Sequence, residues 1–219
     1  MRRLVVNTFV TLDGVMQAPG GPEEDPTEGF AHGGWSAGYW DEAMGARMGE
    51  LLGAPFDLLL GRKTYEIFAA HWPHVPDESG AQELNSARKY VASRTLDKVE
   101  WNNSSLLEGN VAEAVAQIKQ EEGPDIQVHG SSDLIQTLLE HDLVDEFRIM
   151  VFPLVLGTGK RLFGGGVPPA GLELADSATS STGVVMSTYR RAGEIRYGSF
   201  ALDEPTEEER KRRARLADS

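Results

Sequence analysis

The chain has 219 residues, 40% of them hydrophobic, enough for one globular domain with a sizeable core. Its 34 Asp and Glu against 21 Lys and Arg give a formal charge of -13, which argues against a nucleic-acid or anionic-membrane partner. With no cysteine, disulfides, thiolate nucleophiles and thiolate-bound metals are excluded, a composition that fits a reducing cytoplasm.

The N-terminal MRRLVVNTFV has an apolar run too short for a signal peptide, interrupted by Asn7 and Thr8 and without a small-residue cleavage site. Leu4 to Val10 instead reads as a buried strand closed by Thr11-Leu12-Asp13-Gly14. No stretch approaches the roughly 20 apolar residues that a membrane span needs. From Val15 to Gly38 the chain is dense in Gly, Pro and acid and is expected to hold no regular structure. It nevertheless carries Phe30 and Trp35 and leads into Tyr39 and Trp40, as would a flap over a ligand or a surface loop pinned by its aromatics. Asp41 to Leu52 has Met44, Met48, Leu51 and Leu52 at helical spacing and ends before Pro55. Phe56 to Leu60 is an apolar strand that stops at Gly61, where Arg62-Lys63-Thr64-Tyr65-Glu66 opens a helix running to about Trp72. Two cations at a helix start are unfavourable unless an anion sits there.

A short helix near 81–86 leads to a third strand, Lys89 to Ala92, ending in Ser93-Arg94-Thr95. Val99 to Trp101 is expected to be a further short strand and Val111 to Glu121 a helix. Ile126 to His129 is an apolar strand that stops at Gly130. Ser131, Ser132 and Asp133 then offer side-chain oxygens to cap a helix with Leu134, Ile135, Leu138 and Leu139 on one face, and Val144 to Phe152 resumes as a strand. Gly130 permits close backbone approach and the helix N-terminus at 131–133 suits a phosphate, although a plain capped turn would read the same. Strands each followed by a helix imply a mostly parallel sheet, whose ligands bind at the strands' carboxyl ends, where all these polar clusters fall. Beyond Phe163, Leu172 to Ser181, Gly183 to Arg191 and Ile195 to Leu202 are three expected antiparallel strands. One domain is expected over 1–202, followed by a charged tail over 203–219, as solvated helix or disordered chain. His71, His74, His129 and His141 lack metal-ligand spacing, so no metal is expected.

Leu12-Asp13-Gly14, Gly61-Arg62-Lys63-Thr64-Tyr65, Tyr90-Val91-Ala92-Ser93, Gly130-Ser131-Ser132 and Pro153-Leu154-Val155-Leu156-Gly157-Thr158-Gly159 with Leu162-Phe163 share their order and spacing with a known superfamily. The chain resembles the dihydrofolate-reductase-like proteins, and within them the branch related to the C-terminal reductase part of the bifunctional riboflavin-biosynthesis deaminase-reductase. The resemblance implies a three-layer α/β fold with a mostly parallel central sheet and antiparallel C-terminal strands. It implies NADPH as cofactor, contacted by Gly14, Gly61, Arg62, Lys63, Thr64, Ser93, Arg94, Gly130, Ser131, Ser132 and Leu134. Arg62, Lys63, Ser93 and Arg94 would take the adenosine-side phosphates, which favours NADPH over NADH. Trp35, Trp40, Asp41, Leu154, Gly157 and Gly159 would border a small-molecule substrate. Relatives of this kind often pair as homodimers.

For the proton that accompanies hydride transfer, Asp13 is the best-placed acid by motif, with Asp41 and Glu42 as further candidates. A donor acting near neutrality needs a raised pKa, which burial under the aromatic loop would give. Asp13 reads equally well as a turn-forming aspartate. The Trp35 to Asp41 segment does not reproduce the ordered Trp, Pro and acid of a folate reductase, and the zinc-binding deaminase part of the riboflavin enzyme is absent. The expectation is a stand-alone NADPH-dependent reductase of a small aminouracil-like, carbonyl, imine or pterin compound. A non-catalytic NADP(H)-binding module and a protein-interaction module are the alternatives.

Overall fold

The computed structural model describes residues 1–76 and 80–217. Eight strands, β1 (Leu4–Thr11), β2 (Phe56–Gly61), β3 (Lys89–Ala92), β4 (Ser104–Leu106), β5 (Asp125–Val128), β6 (Glu146–Phe152), β7 (Leu172–Thr179) and β8 (Val185–Arg191), form one sheet in the order β4-β3-β2-β5-β1-β6-β8-β7. The first six run parallel, β8 is antiparallel to β6, and β7 is antiparallel to β8. This is the expected dihydrofolate-reductase-like α/β fold.

Among the described residues, six helices accompany the sheet: α1 (Glu42–Gly53), α2 (Arg62–His71), α3 (Ala81–Ser86), α4 (Val111–Gln120), α5 (Ser132–Glu140) and α6 (Glu207–Ala217). Strand alternation sends Leu4, Val6 and Val10 to one face, where they pack with Val115 and Ile118 of α4 and Ile135 and Leu138 of α5. On the other face, Phe56, Leu58, Leu60 and Val91 meet Tyr65 and Phe68 of α2 and Leu84 of α3. Farther along that face Met150, Phe152 and Met186 meet Met44 and Met48 of α1. The connection from β2 to β3 moves one way across the sheet and that from β5 to β6 the other, so the strand order reverses between the neighbours β2 and β5. A crevice at the carboxyl ends is the geometric result.

Two expected strands are corrected. Residues 99–101 do not pair, because the N–H groups of Glu100 and Trp101 donate to Tyr65 Oη at 2.9 and 3.0 Å, and pairing with β3 begins only at Ser104. Ile195 to Leu202 is not a strand: Gly193, at φ 78°, turns the chain out of the β7–β8 hairpin and leaves Tyr197, Phe200 and Leu202 exposed. The loop from Val15 also holds more order than expected, with single 3-10 turns at Thr27–Gly29 and Ala37–Tyr39. Its aromatics dock: Trp35 and Tyr39 stand edge-on to Phe152, and Phe30 packs with Val15 and Ala18. The charged tail carries α6, which buries none of its residues.

Candidate active site

A cleft of 1450 Å³ opens at the carboxyl ends of β2, β3 and β5. One wall consists of Gly61 to Thr64, Ser93 with Arg94, and Gly130 to Leu134, so ten of the expected cofactor residues share it and Gly14 does not. The neighbouring strands β2 and β5 deliver the N-termini of α2 and α5 side by side, with Thr64 Oγ1 and Ser131 Oγ 2.6 Å apart. Neither helix is capped by a side chain: α2 begins after Gly61, and at α5 the expected serine cap is replaced by a Ser131 held at φ 68° whose hydroxyl turns to Thr64. The first-turn N–H groups and both positive dipole ends are thus left for a ligand anion. Arg62 is steadied by Glu66 at 3.0 Å and Ser93 Oγ accepts from the N–H groups of Thr95 and Leu96, while Arg94 is exposed beside it.

The loop after β1 crosses the cleft as a latched flap. Lys160 pairs with Asp25 and donates to Thr27 Oγ1 at 2.9 Å, and Lys63 donates to the same hydroxyl at 2.9 Å while standing 3.8 Å from Asp25. The neighbouring Lys160 pushes the Lys63 ammonium pKa down. Gln17 completes the tie, donating to the carbonyls of Asp25 and Thr27 and accepting from Lys160 N.

The residues expected on the substrate side divide. Trp40 lines the cleft, 6.2 Å from Phe9 ring to ring. Trp35, Asp41, Leu154, Gly157 and Gly159 do not line it. Trp35 donates Nε1–H to Gln17 O, and Asp41 caps α1 by accepting from Met44 N while also accepting from Ser181. Leu154 accepts from Leu12 N, and Gly159 sits where a Cβ would meet Val15 and Phe30 at 2.7 and 2.8 Å.

Asp13 also lies outside the cleft, and the raised pKa anticipated for it is reversed. Its carboxylate accepts from Thr11 Oγ1 at 2.5 Å, Gly157 N at 2.8 Å and Leu156 N at 3.2 Å, which hold its pKa down at about 2, the Thr11 hydroxyl most of all. A carboxylate whose ionised form is favoured by folding adds stability at pH values above the ordinary 3.8, and that stability disappears as pH falls through about 2. Thermal unfolding between pH 2 and 5 should therefore be less steeply pH-dependent in Asp13→Asn; an unchanged slope would remove Asp13 from this role.

The cleft floor contains groups that sequence reasoning passed over. Asn7 of β1 and Arg148 of β6 are paired neighbours on the sheet face toward α1, and both line the cleft with His129, just past β5. Between them, buried Gln127 accepts from Asn7 Nδ2 at 3.3 Å and bonds His129 Nε2 at 2.7 Å, while its own Nε2 donates to Leu51 O. Burial, and after it the Arg148 charge, push the His129 pKa down to about 4, so the ring is neutral at pH 7. The available signal was an Asn at an inward position of LVVNTFV, where the only other polar residue is Thr8.

The RibD C-terminal domain family model matches residues 2–186. The chain belongs to this family. YyaP of Bacillus subtilis, an uncharacterised protein, is 31% identical to it over 200 residues, covering 88% of this chain and 96% of YyaP. Among solved structures, a protein assigned to riboflavin biosynthesis in Shewanella sp. PV-4 superposes with a TM-score of 0.61 at 22% identity, covering 86% of this chain and 98% of its own. The dihydrofolate reductase of Enterococcus faecalis, complexed with NADP(H) and RAB-propyl, superposes at 0.54 with 15% identity, covering 87% and 96%. These two similarities establish the fold, and the RibD C-terminal domain family places the chain among proteins with a reductase-type fold.

Proposed function

We propose that this RibD C-terminal domain protein is an NADPH-dependent reductase that passes hydride to a small aminouracil-like, carbonyl, imine or pterin compound. The observation that carries the reading is the pair of uncapped helix N-termini at Gly61 and Ser131, side by side at the reversal of strand order and lining one cleft. Two dipole ends and several free N–H groups suit a pyrophosphate. Arg62, Lys63 and Arg94 on the same wall suit a further phosphate. When bound, the cofactor supplies the hydride. The chain's part is to hold the anionic end against this wall, to exclude water with the flap, and to present the substrate between Trp40 and the polar floor.

Titration of the protein with NADPH and with NADH, followed through its four tryptophans, tests this directly. NADPH should bind the more tightly, and Arg62→Ala should weaken NADPH by about 1–3 kcal/mol while barely affecting NADH. Equal losses for both would count against 2′-phosphate recognition, and failure of either cofactor to bind would end the reductase reading. We also propose a homodimer through the free edge of β7, whose eight residues are all exposed, Leu174 among them. Light scattering should then give twice the chain mass of 23.9 kDa; the single-chain mass would refute it.

A further inference from the structure

Resting on the homodimer reading, we infer that the segment after β8, residues 195–202, is an exchanged arm that lies in each copy as an added strand along the free β7 edge of the second copy. β7 pairs with β8 on one side, and on its other side a row of backbone N–H and C=O groups stays open, a template that a further strand satisfies. Its apolar surface is also cut short. Leu174 stands opposite Tyr189, which packs on the main core, yet Leu174 is 58% exposed and Leu172 beside it is exposed as well. Glu173, between them, faces the other side of the sheet. Its register neighbour Arg190 pairs with Glu146 instead, so Glu173 has no ion pair among the described residues.

The arm supplies the complement. Gly193 turns it out of its own hairpin and leaves Tyr197, Phe200 and Leu202 in solvent, Tyr197 at 85% exposure, an apolar set of the kind that marks an association surface. Ile195 and Tyr197 flank Arg196, which also forms no ion pair among the described residues. Laying Ile195 and Tyr197 on the face of Leu172 and Leu174 sets Arg196 on the face of Glu173, as a cross-strand pair of opposite charge. That match holds whether the added strand runs parallel or antiparallel to β7. The root of the arm lies at the edge itself: Ala192 N donates to Gly171 O at 2.9 Å and Gly171 N to Gly193 O at 3.2 Å, just before β7 begins. An arm rooted at an edge meets the same edge of a second copy across a two-fold axis, which makes the exchange mutual.

Glu173→Arg and Arg196→Glu, both at exposed positions, are the test variants. Each alone sets like charges opposite each other at both contacts and should raise the dimer dissociation constant about tenfold, measured by light scattering over a dilution series. Mixing the two variants should restore wild-type association, because both contacts of a mixed pair then join Arg to Glu. In the wild-type dimer the amides of residues 195–202 should exchange hydrogen slowly, and dilution to single chains should release them. This measurement needs no variant, so a misfolded one leaves the inference testable. A dimer weakened by Glu173→Arg alone, with residues 195–202 exchanging freely, would overturn the arm and keep a dimer made by β7 edges. Association lost in both variants and not restored by mixing would also overturn it, since the arm would then lie on its own chain. Wild-type protein at the single-chain mass would defeat the homodimer reading and the arm with it.

Discussion

Gly61→Ala should cost about 3 kcal/mol of stability, the upper end of overpacking penalties, and lower NADPH affinity at least tenfold. Gly61 has an ordinary extended backbone, φ -74°, so conformational freedom is not the reason. Space is: a Cβ there would lie 2.5 Å from Ser131 Oγ and 2.6 Å from Ser131 Cβ, atoms fixed to the opposite helix N-terminus. Something must move, and what moves is the juxtaposition of α2 and α5 on which the proposed phosphate site depends. Ser131→Gly in the same chain should restore most of the loss, since it removes both clashing atoms. It also frees residue 131 from a left-handed φ of 68°, a strain of about 1 kcal/mol for a side chain with a Cβ, in exchange for the Thr64 hydrogen bond. Urea unfolding and NADPH titration of both single variants and the double variant test this. A double variant no better than Gly61→Ala would show that the clash does not control the wall.

Lys89→Met should lower stability by about 3 kcal/mol, through carbonyls left unmatched after the loss of their donor. Lys89 is 0% exposed, yet its ammonium has no carboxylate partner among the described residues. It donates instead to the carbonyls of Asn85, Ala87 and Asn102 at 2.7–3.0 Å and lies 4.1 Å from the Trp101 ring centre. These bonds tie the end of α3 and the turn before β4 to the start of β3, whose far end supplies Ser93 and Arg94. Burial pushes the ammonium pKa down to about 8 from 10.5. Folding then favours the neutral amine, so wild-type stability should fall as pH drops from about 10.5 towards about 8 and level off below. Lys89→Met should lack that slope. A variant as stable as wild type at pH 7, or one that keeps the slope, would refute this role.

The centre of the sheet was legible because β1, β2 and β5 are buried almost throughout and read as mainly apolar runs, the last two closed by Gly61 and Gly130. The cleft wall at Arg62 and Lys63 stood out in the sequence because two cations are misplaced at the start of an isolated helix. The roles of Asp13 and Asn7 were not. Asp13 looks like an available acid until Leu156 and Gly157, more than a hundred residues away, are seen donating to it. Asn7 looks like one polar interruption in a strand until the register sets it beside Gln127 and Arg148. The two misplaced strands have the same origin, since a tyrosine hydroxyl and a glycine turn took their residues out of the ladder. Local pattern reports what a segment favours, and long-range partners decide what it does.

The latch across the cleft means that the approach to Lys63 is already supplied with a carboxylate, Asp25. An anion arriving there meets an occupied position, so its capture is an exchange of one negative partner for another. The net gain from such an exchange is a small difference between similar pairings. Discrimination between ligands that differ by one phosphate would then fall to Arg62 and Arg94, which Asp25 does not pair among the described residues, and the Asp25 loop would be the element displaced.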